Sequence, residues 1–364
     1  MTIITDGYFN VMDYGAKGSP YGDDTVAIKA AAQAARATAS KWGSKGLFFP
    51  PGGAYVCMSP VDFTGISTIR CEGWLVYRGP VNATCFIVRV PSQNTGGNFY
   101  FFGLYSLSVP YDQMKHPLIR FSGLRGARVQ IGTCNSFVEI YGDCDDNTYA
   151  STAYSEFHLG QTYRLEIRDN AKNRNAWVNE NQFYGGAIAQ LRIGGPWRDI
   201  TNVADNGSGL VRVTCPKHGY ATGSMVECYD VRGVPNANGF YLVTVIDANT
   251  FDLQKSSFAG AYKPGTGWAM GPAGYPHNGN VFYSPDIEDK NAIVHMQGIS
   301  NRLLGCRTEC TGNSVVAFAP GTYGNVLEQV GITTGHIDQF DMSVKDWGTA
   351  NFAGRWRPDL IARR

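Results

Sequence analysis

Charged residues recur at matched positions in two segments of the second half of the chain. Asp286 and Glu288 are separated by one apolar residue, and 21 residues later Arg307 and Glu309 are separated by one threonine. If these segments are neighbouring parallel strands, equivalent residues lie ~4.8 Å apart and all four charged side chains share an outer face. Two carboxylates so close cannot both ionise freely, so the pKa of one should rise. Hydrolysis of a glycosidic bond needs one protonated and one ionised carboxyl, so we predict Glu288, Glu309 and Asp286 as catalytic residues.

Aromatic and cationic residues on coils expected to lie near these acids are candidates for binding a sugar. Sugar rings stack on aromatic faces, which suggests Tyr184 and Trp177, while Arg307 and Arg192 could hold an acidic sugar. The competing interpretation is a solvated face on which opposite charges neutralise each other. Other acids remain alternatives, in particular a pair repeated at an offset of 27 residues. These alternatives are Glu139 and Glu166, which form that pair, together with Glu156, Asp169 and Glu180.

Composition excludes several other classes of protein. The chain of 364 residues has 31 Lys and Arg against 30 Asp and Glu, which leaves no excess of cations for binding nucleic acid. No apolar run approaches the ~18 residues that span a membrane, and the first six residues do not have the pattern of a secretion signal. Nine cysteines without a Cys-x-x-Cys pair indicate reduced, buried thiols. No spacing typical of a metal or cofactor site occurs, so we predict neither.

Asparagine and apolar residues repeat together with the acids. One asparagine column would consist of Asn181, Asn280, Asn301 and Asn325, at offsets of 99, 21 and 24 residues. Two inward columns would run beside it: Phe183, Phe282, Leu303 and Leu327, and Ile188, Ile287, Thr308 and Ile332. Stacked coils of 20–30 residues explain such columns, because equivalent side chains of successive coils meet.

The 99-residue offset is too long for one coil, and residues 200–270 supply the excess. This stretch alternates apolar and polar residues between Gly and Asn turns, which predicts a small antiparallel barrel. Its motifs run from His218 to Gly223, from Asn236 to Gly239 and from Thr250 to Leu253, and they resemble the FCCH-like barrel modules inserted in phage proteins. A spacer and a glycan-binding module are both compatible with the pattern.

The amino-terminal segment carries the most specific motifs. Asn10 to Ala16 ends a short strand in a glycine turn, Asp23 and Asp24 precede an alanine-rich amphipathic helix, and Phe49 to Tyr55 contains a Pro-Gly turn. These motifs resemble those that open the pectate-lyase-like, right-handed parallel β-helix family, which includes phage tailspikes. The resemblance implies an all-β parallel β-helix with a capping helix, in which the aspartates have turn and cap roles.

The resemblance also implies a function. Tailspikes of this family are trimers that bind and cleave bacterial surface polysaccharide, so we expect a homotrimeric depolymerase in the virion, assembled in the host cytoplasm. Another tail or baseplate protein would anchor it to the particle. A polysaccharide lyase and a non-catalytic glycan receptor-binding protein remain alternatives. The expected domains are a cap (1–45), a first part of the β-helix (46–199), the inserted barrel (200–270), a second part of the β-helix (271–346) and a tail (347–364).

Overall fold

The computed structural model is almost entirely β structure. It describes residues 7–38, 45–90, 96–108, 115–142, 151–169, 177–195, 197–272, 277–289, 291–310, 314–329 and 342–355. Within these ranges there are 28 strands and one α-helix. The expected all-β class is therefore confirmed.

The first half of the chain consists mainly of parallel strands. In chain order these elements are β1 (Tyr8–Asn10), α1 (Thr25–Ala37), β2 (Gly46–Phe49), β3 (Ala54–Cys57), β4 (Val61–Asp62), β5 (Thr68–Tyr77), β6 (Phe86–Arg89), β7 (Asn98–Ser106), β8 (Ile119–Ser122), β9 (Arg128–Gly142), β10 (Thr152–Ala153), β11 (Glu156–Asp169), β12 (Val178–Asn179) and β13 (Gln182–Ile193). β1 pairs in parallel with β2, and α1 packs against both. The helix thus covers an edge strand, as the sequence predicts.

The cap of α1 is built by two aspartates with different tasks. Asp24 occupies the N-cap position, but its carboxylate accepts hydrogen bonds from the backbone of Lys17 and Gly18 in the preceding loop. Asp23 accepts instead from the backbone N–H of Thr25, at 2.9 Å. Both side chains therefore organise backbone, in agreement with the turn and cap roles expected of them.

An antiparallel module interrupts the parallel strands. It contains β14 (Trp197–Asp199), β15 (Asn202–Asp205), β16 (Val211–Thr214), β17 (Met225–Tyr229), β18 (Gly239–Val245), β19 (Thr250–Leu253) and β20 (Trp268–Met270). These seven strands pair in the order β14-β20-β17-β18-β19-β16-β15 around a hydrophobic core of their own. The module begins at residue 197, three residues before the expected boundary, because Trp197 pairs with Met270.

Parallel pairing resumes after the module and continues into the expected tail. The remaining strands are β21 (Val281–Tyr283), β22 (Asp286–Asp289), β23 (Ile293–Met296), β24 (Arg302–Cys310), β25 (Val315–Phe318), β26 (Val326–Gln329), β27 (Ser343–Asp346) and β28 (Phe352–Arg355). β28 pairs with β26, so the expected tail boundary at 347 falls inside the parallel strands. The sequence pattern missed this strand because no aligned repeat marks it.

The parallel strands form three ladders. The first ladder runs through β2, the beginnings of β5, β7, β9, β11 and β13, then β21, β24, β26 and β28. The second ladder joins β3, later parts of β5, β7, β9, β11 and β13, then β22 and the end of β24. The third ladder joins β4, β6, β8, the ends of β9, β11 and β13, then β23, β25 and β27. Long strands such as β9 and β11 thus take part in all three.

The expected side-chain columns are present. Phe183 stacks on Phe282 with ring centroids 4.3 Å apart, and the pairing continues to Leu303 and Leu327. The second inward column aligns Ile188, Ile287 and Thr308; Ile332 lies outside the described residues. These columns belong to one hydrophobic core that also includes buried residues of α1.

The asparagine column is also present and longer than expected. From the second member onward, the side-chain oxygen of each asparagine accepts hydrogen bonds from the backbone and side-chain nitrogens of the preceding member. The members in order are Asn181, Asn280, Asn301, Asn325 and Asn351. The residue before each member, from Glu180 to Ala350, has a positive φ, so the column marks a recurrent left-handed corner.

Two further observations bear on the sequence analysis. The eight cysteines within the described residues are buried and form no disulfide with one another, as expected of reduced thiols. In the same part of the chain, no helix combines the length and the apolar character needed to cross a bilayer.

Candidate functional site

The acid cluster consists of Asp286, Glu288, Arg307 and Glu309 on neighbouring strands of the second ladder. The register pairs Asp286 with Arg307 and Glu288 with Glu309, which confirms the strand adjacency predicted from the 21-residue offset. Nη2 of Arg307 lies 3.2 Å from Oδ2 of Asp286 and also forms an ion pair with Glu309. One guanidinium nitrogen thus contacts carboxylates from two neighbouring strands.

The pKa of Asp286 is raised above its usual value. Partial burial is the main cause, and the negative charges of Glu288 and Glu309 add to it, while Arg307 opposes them. Oδ1 of Asp286 is buried without a hydrogen-bond partner among the described residues. A carboxyl with these surroundings retains its proton to higher pH than an exposed aspartate, as a general acid must.

Glu288 lines a cavity of about 440 Å³ on the outer face of the second ladder. Ala187 and Ala189 lie on the adjacent strand and contribute only methyl groups, which leaves open space beside the acid cluster. Polar side chains line the opposite side, including Gln161 and Asn135. The cavity thus offers hydrogen-bonding groups facing a carboxylate, a combination suited to a hydroxyl-rich ligand.

Exposed aromatic rings extend this cavity along the same ladder. Tyr105 lines the cavity, and its ring meets that of Trp74 edge to face at 6.0 Å between centroids. Trp74 also contacts Phe102, and the three rings are 36–44% exposed. The indole lies over Gly103, where a Cβ atom would come within 2.4 Å of the ring. We call the stretch of the second ladder from Trp74 to Glu309, which includes this cavity, the groove; five strand steps separate Trp74 from Asp286, or ~24 Å.

The aromatic end of the groove is not predicted by the sequence pattern. Trp74 and Tyr105 lie in strands without the Asn-containing motif that aligned the later repeats, and a register shift between Cys71 and Trp74 breaks the alternation. A search for aromatic residues about 30 positions apart in the first half of the chain could have found the pair.

Tyr184 and Trp177 lie away from the groove. Tyr184 belongs to the first ladder, where its ring stacks between those of His158 and Tyr283 at centroid distances of 4.9 and 5.2 Å. Trp177 precedes β12, and the Arg125 guanidinium lies 6.0 Å from its ring centroid. Neither residue lines the cavity beside the acid cluster, so the structure does not bring them to the site for which they were predicted.

Arg192 is buried beneath the module and cannot serve as a surface contact for sugar. It is fully inaccessible, and its Nη2 and Nε donate to Glu227 of the module at 2.8–3.1 Å. His295 reaches the same carboxylate at 3.0 Å. Burial opposes ionisation of Glu227, but the charge of Arg192 and the hydrogen bonds outweigh it and lower its pKa to about 2. The prediction that Arg192 binds sugar is therefore wrong. Arg192 forms a buried ion pair that joins the module to the parallel strands.

The alternative acids do not form a second exposed cluster. Glu139 and Glu166 are paired in register as predicted, but both are completely buried against arginines. Asp169 is also buried, and its carboxylate lies 3.5 Å from Nε2 of His277. Glu156 is exposed on the first ladder beside Arg128, and Glu180 occupies a left-handed corner.

In comparisons with known proteins, no family model and no curated protein matches the sequence.

Proposed function

We propose that the three ladders wind as one right-handed parallel β-helix, with the module inserted as an FCCH-like barrel. The support is the repeated pairing of equivalent residues across three ladders, the asparagine column at one corner and the helix packed against the first strands. Each feature is expected of a solenoid whose successive coils contact only their neighbours.

The function we propose is cleavage of a bacterial surface polysaccharide by hydrolysis, as in tailspike depolymerases. The observation that carries this proposal is that the second ladder bears exposed aromatic rings, a cavity lined by Tyr105 and Glu288, and Asp286, a carboxyl of raised pKa two residues from Glu288. A chain of sugars needs an extended surface with stacking platforms, and bond cleavage needs the two carboxyls.

In the proposed mechanism Asp286 is the general acid and Glu288 the partner carboxylate. Both project outward from one strand two residues apart, so their Cα atoms are separated by ~6.6 Å. Asp286 transfers its proton to the glycosidic oxygen as the bond to the anomeric carbon breaks, while Glu288 takes a proton from the water that attacks this carbon. Arg307 and Glu309 hold Asp286 in place, so Glu309 becomes a positioning residue in this scheme.

Single substitutions test the assignment. We expect Glu288→Gln and Asp286→Asn each to lower the rate of polysaccharide cleavage by at least ~100-fold, because each removes one half of the acid–base pair. New reducing ends released from a panel of purified capsules and O-antigens measure the rate. Glu156→Gln, an exposed acid on the first ladder, is the matched control and should retain full activity. Full activity of both groove variants would overturn the catalytic assignment.

Two alternatives are distinguished by the same assay. The exposed aromatic rings by themselves would suit a non-catalytic receptor-binding protein. Such a protein would bind the polysaccharide without shortening it. A lyase with Arg307 at the site would leave unsaturated, ultraviolet-absorbing ends, whereas hydrolysis leaves none.

We further propose that the protein acts as a homotrimer on a phage tail, anchored through another tail or baseplate protein. This part of the proposal rests on the resemblance of the first fifty residues to tailspikes. Light scattering of the purified chain measures the mass and would contradict the trimer if it gave that of one chain.

A further inference from the structure

A second cavity lies where the module meets the third ladder. Its volume is about 220 Å³, and we call it the junction pocket. Strands β8, β9 and β11 supply one wall through Arg120, Tyr141 and Arg168, and the module supplies the other through Trp197 and Trp268. The junction pocket shares no lining residue with the cavity of the groove.

Two buried carboxylates hold the arginines of this pocket in place. Glu139 accepts from Nε of Arg120 and from Arg168, and Glu166 lies 3.3 Å from Nε of Arg168. Burial opposes ionisation of Glu139, but the charges of Arg120 and Arg168 outweigh it and hold its pKa below the usual value. Glu166 also accepts from the indole Nε1 of Trp197 at 2.7–2.8 Å. The guanidinium groups and one tryptophan are therefore fixed before any ligand arrives.

Positive charge exceeds negative charge around the pocket. The cations there are Lys115, Arg120, Arg164, Arg168, Arg192 and Arg198, and the carboxylates are Glu139, Glu166, Asp199 and Glu227. Six cations against four carboxylates leave two positive charges unbalanced. No described residue forms a hydrogen bond with Nη1 or Nη2 of Arg120, whose guanidinium is held 4.0 Å from the Tyr141 ring. Lys115 lies over the Trp268 ring at 5.2 Å and 3.7 Å from Asp199, which is largely exposed.

We propose that the junction pocket binds an anionic sugar residue through its carboxylate. The planar donor geometry of a guanidinium matches a carboxylate, and desolvated cations bind anions more strongly than exposed ones. Indole and phenol rings beside the cations provide apolar faces for the sugar ring. The site is separate from the groove, so it binds whether or not the groove cleaves polysaccharide.

Two ligands that differ only at one carbon test this assignment. Isothermal titration at low ionic strength compares the methyl glycoside of glucuronic acid with methyl glucoside, its neutral counterpart. We expect the uronic acid to bind and the neutral sugar to bind at least ~10-fold more weakly. Equal affinity for the two, or acetate and inorganic phosphate binding as tightly as the uronic acid, would overturn the proposal.

Variants locate the binding. Arg120→Gln and the more peripheral Lys115→Gln should each weaken uronic acid binding by ~10-fold or more, while Arg232→Gln, on the module outside the pocket, should not. Lys115→Gln keeps the test valid should Arg120→Gln disturb the buried carboxylate, and thermal unfolding reports on that. Glu288→Gln should bind normally, which separates this site from the groove. Unchanged binding in folded Arg120→Gln and Lys115→Gln proteins would show that the ligand binds elsewhere.

Discussion

At the scale of single residues, the charge of Arg307 influences the pKa of a neighbouring carboxyl in the acid cluster. Arg307 contacts Asp286 and Glu309 through the same nitrogen, and its charge opposes the rise in the pKa of Asp286. The proton on Asp286 is the one used in the proposed cleavage, so activity is present below the pKa of Asp286 and lost as the pH rises through it.

Arg307→Gln should therefore move the alkaline limb of the pH–activity profile to higher pH. Without the guanidinium, burial and the two neighbouring glutamates raise the pKa of Asp286 further. Measuring kcat/KM against pH for the wild type and the variant gives the shift, and Arg302→Gln on the first-ladder part of the same strand is the control. An alkaline limb that stays in place would assign the titration to another group.

At the scale of elements, the asparagine column carries much of the strand register. Asn301 is completely buried; its side-chain oxygen accepts from the backbone and side chain of Asn280, and its amide donates to the carbonyl of His277 at 2.8 Å. Each hydrogen bond satisfies a polar group that burial has removed from water, so the column links the segments that precede neighbouring parallel strands.

Asn301→Ala should lower the free energy of unfolding by about 3 kcal/mol, because it leaves the buried N–H of Asn280 and the carbonyl of His277 unpaired. Urea denaturation measures the change. Asn291→Ala, at an exposed position between β22 and β23, is the matched control and should cost little. A loss in Asn301→Ala no larger than in the control would mean that water replaces the missing amide.

At the scale of the whole molecule, buried ion pairs join two bodies of different architecture. Glu227 of the module, Arg192 of β13 and His295 of β23 meet in an environment inaccessible to solvent. A partner lost from such a cluster leaves an uncompensated buried charge, so the junction depends on all members being present.

Glu227→Gln should lower the free energy of unfolding by about 3 kcal/mol at neutral pH. The pKa of Glu227 falls from the ordinary 4.5 to about 2 on folding. Its ionised form therefore stabilises the fold above pH 4.5, and that contribution is lost as the pH falls towards 2. In urea denaturation, the free energy of unfolding of the variant should differ less from that of the wild type at pH 3 than at pH 7. Asp230→Asn, which removes an exposed ion pair with Arg232, should change stability little at either pH.

The sequence predicted features that repeat and missed features that depend on tertiary contacts. The offset of 21 residues between Asn280 and Asn301 is the same as that between Glu288 and Glu309. It was sufficient to align the two glutamates, because parallel pairing conserves the offset. The burial of Arg192 was not predictable, since it requires the module to fold back onto the third ladder. The place of Trp74 in the groove was not predictable either, because a register shift in β5 interrupts the alternation of the sequence pattern.

The pairing of β14 with β20 brings the entry and exit of the module side by side, at Trp197 and Met270. The chain leaves the parallel strands and returns almost to its point of departure, so Phe183 still stacks on Phe282 although 99 residues separate them. An insertion point of this kind can accept another domain with adjacent termini, provided that the new domain also pairs with the buried Arg192, as Glu227 does here. A module exchanged under this condition would leave the parallel strands on either side in register.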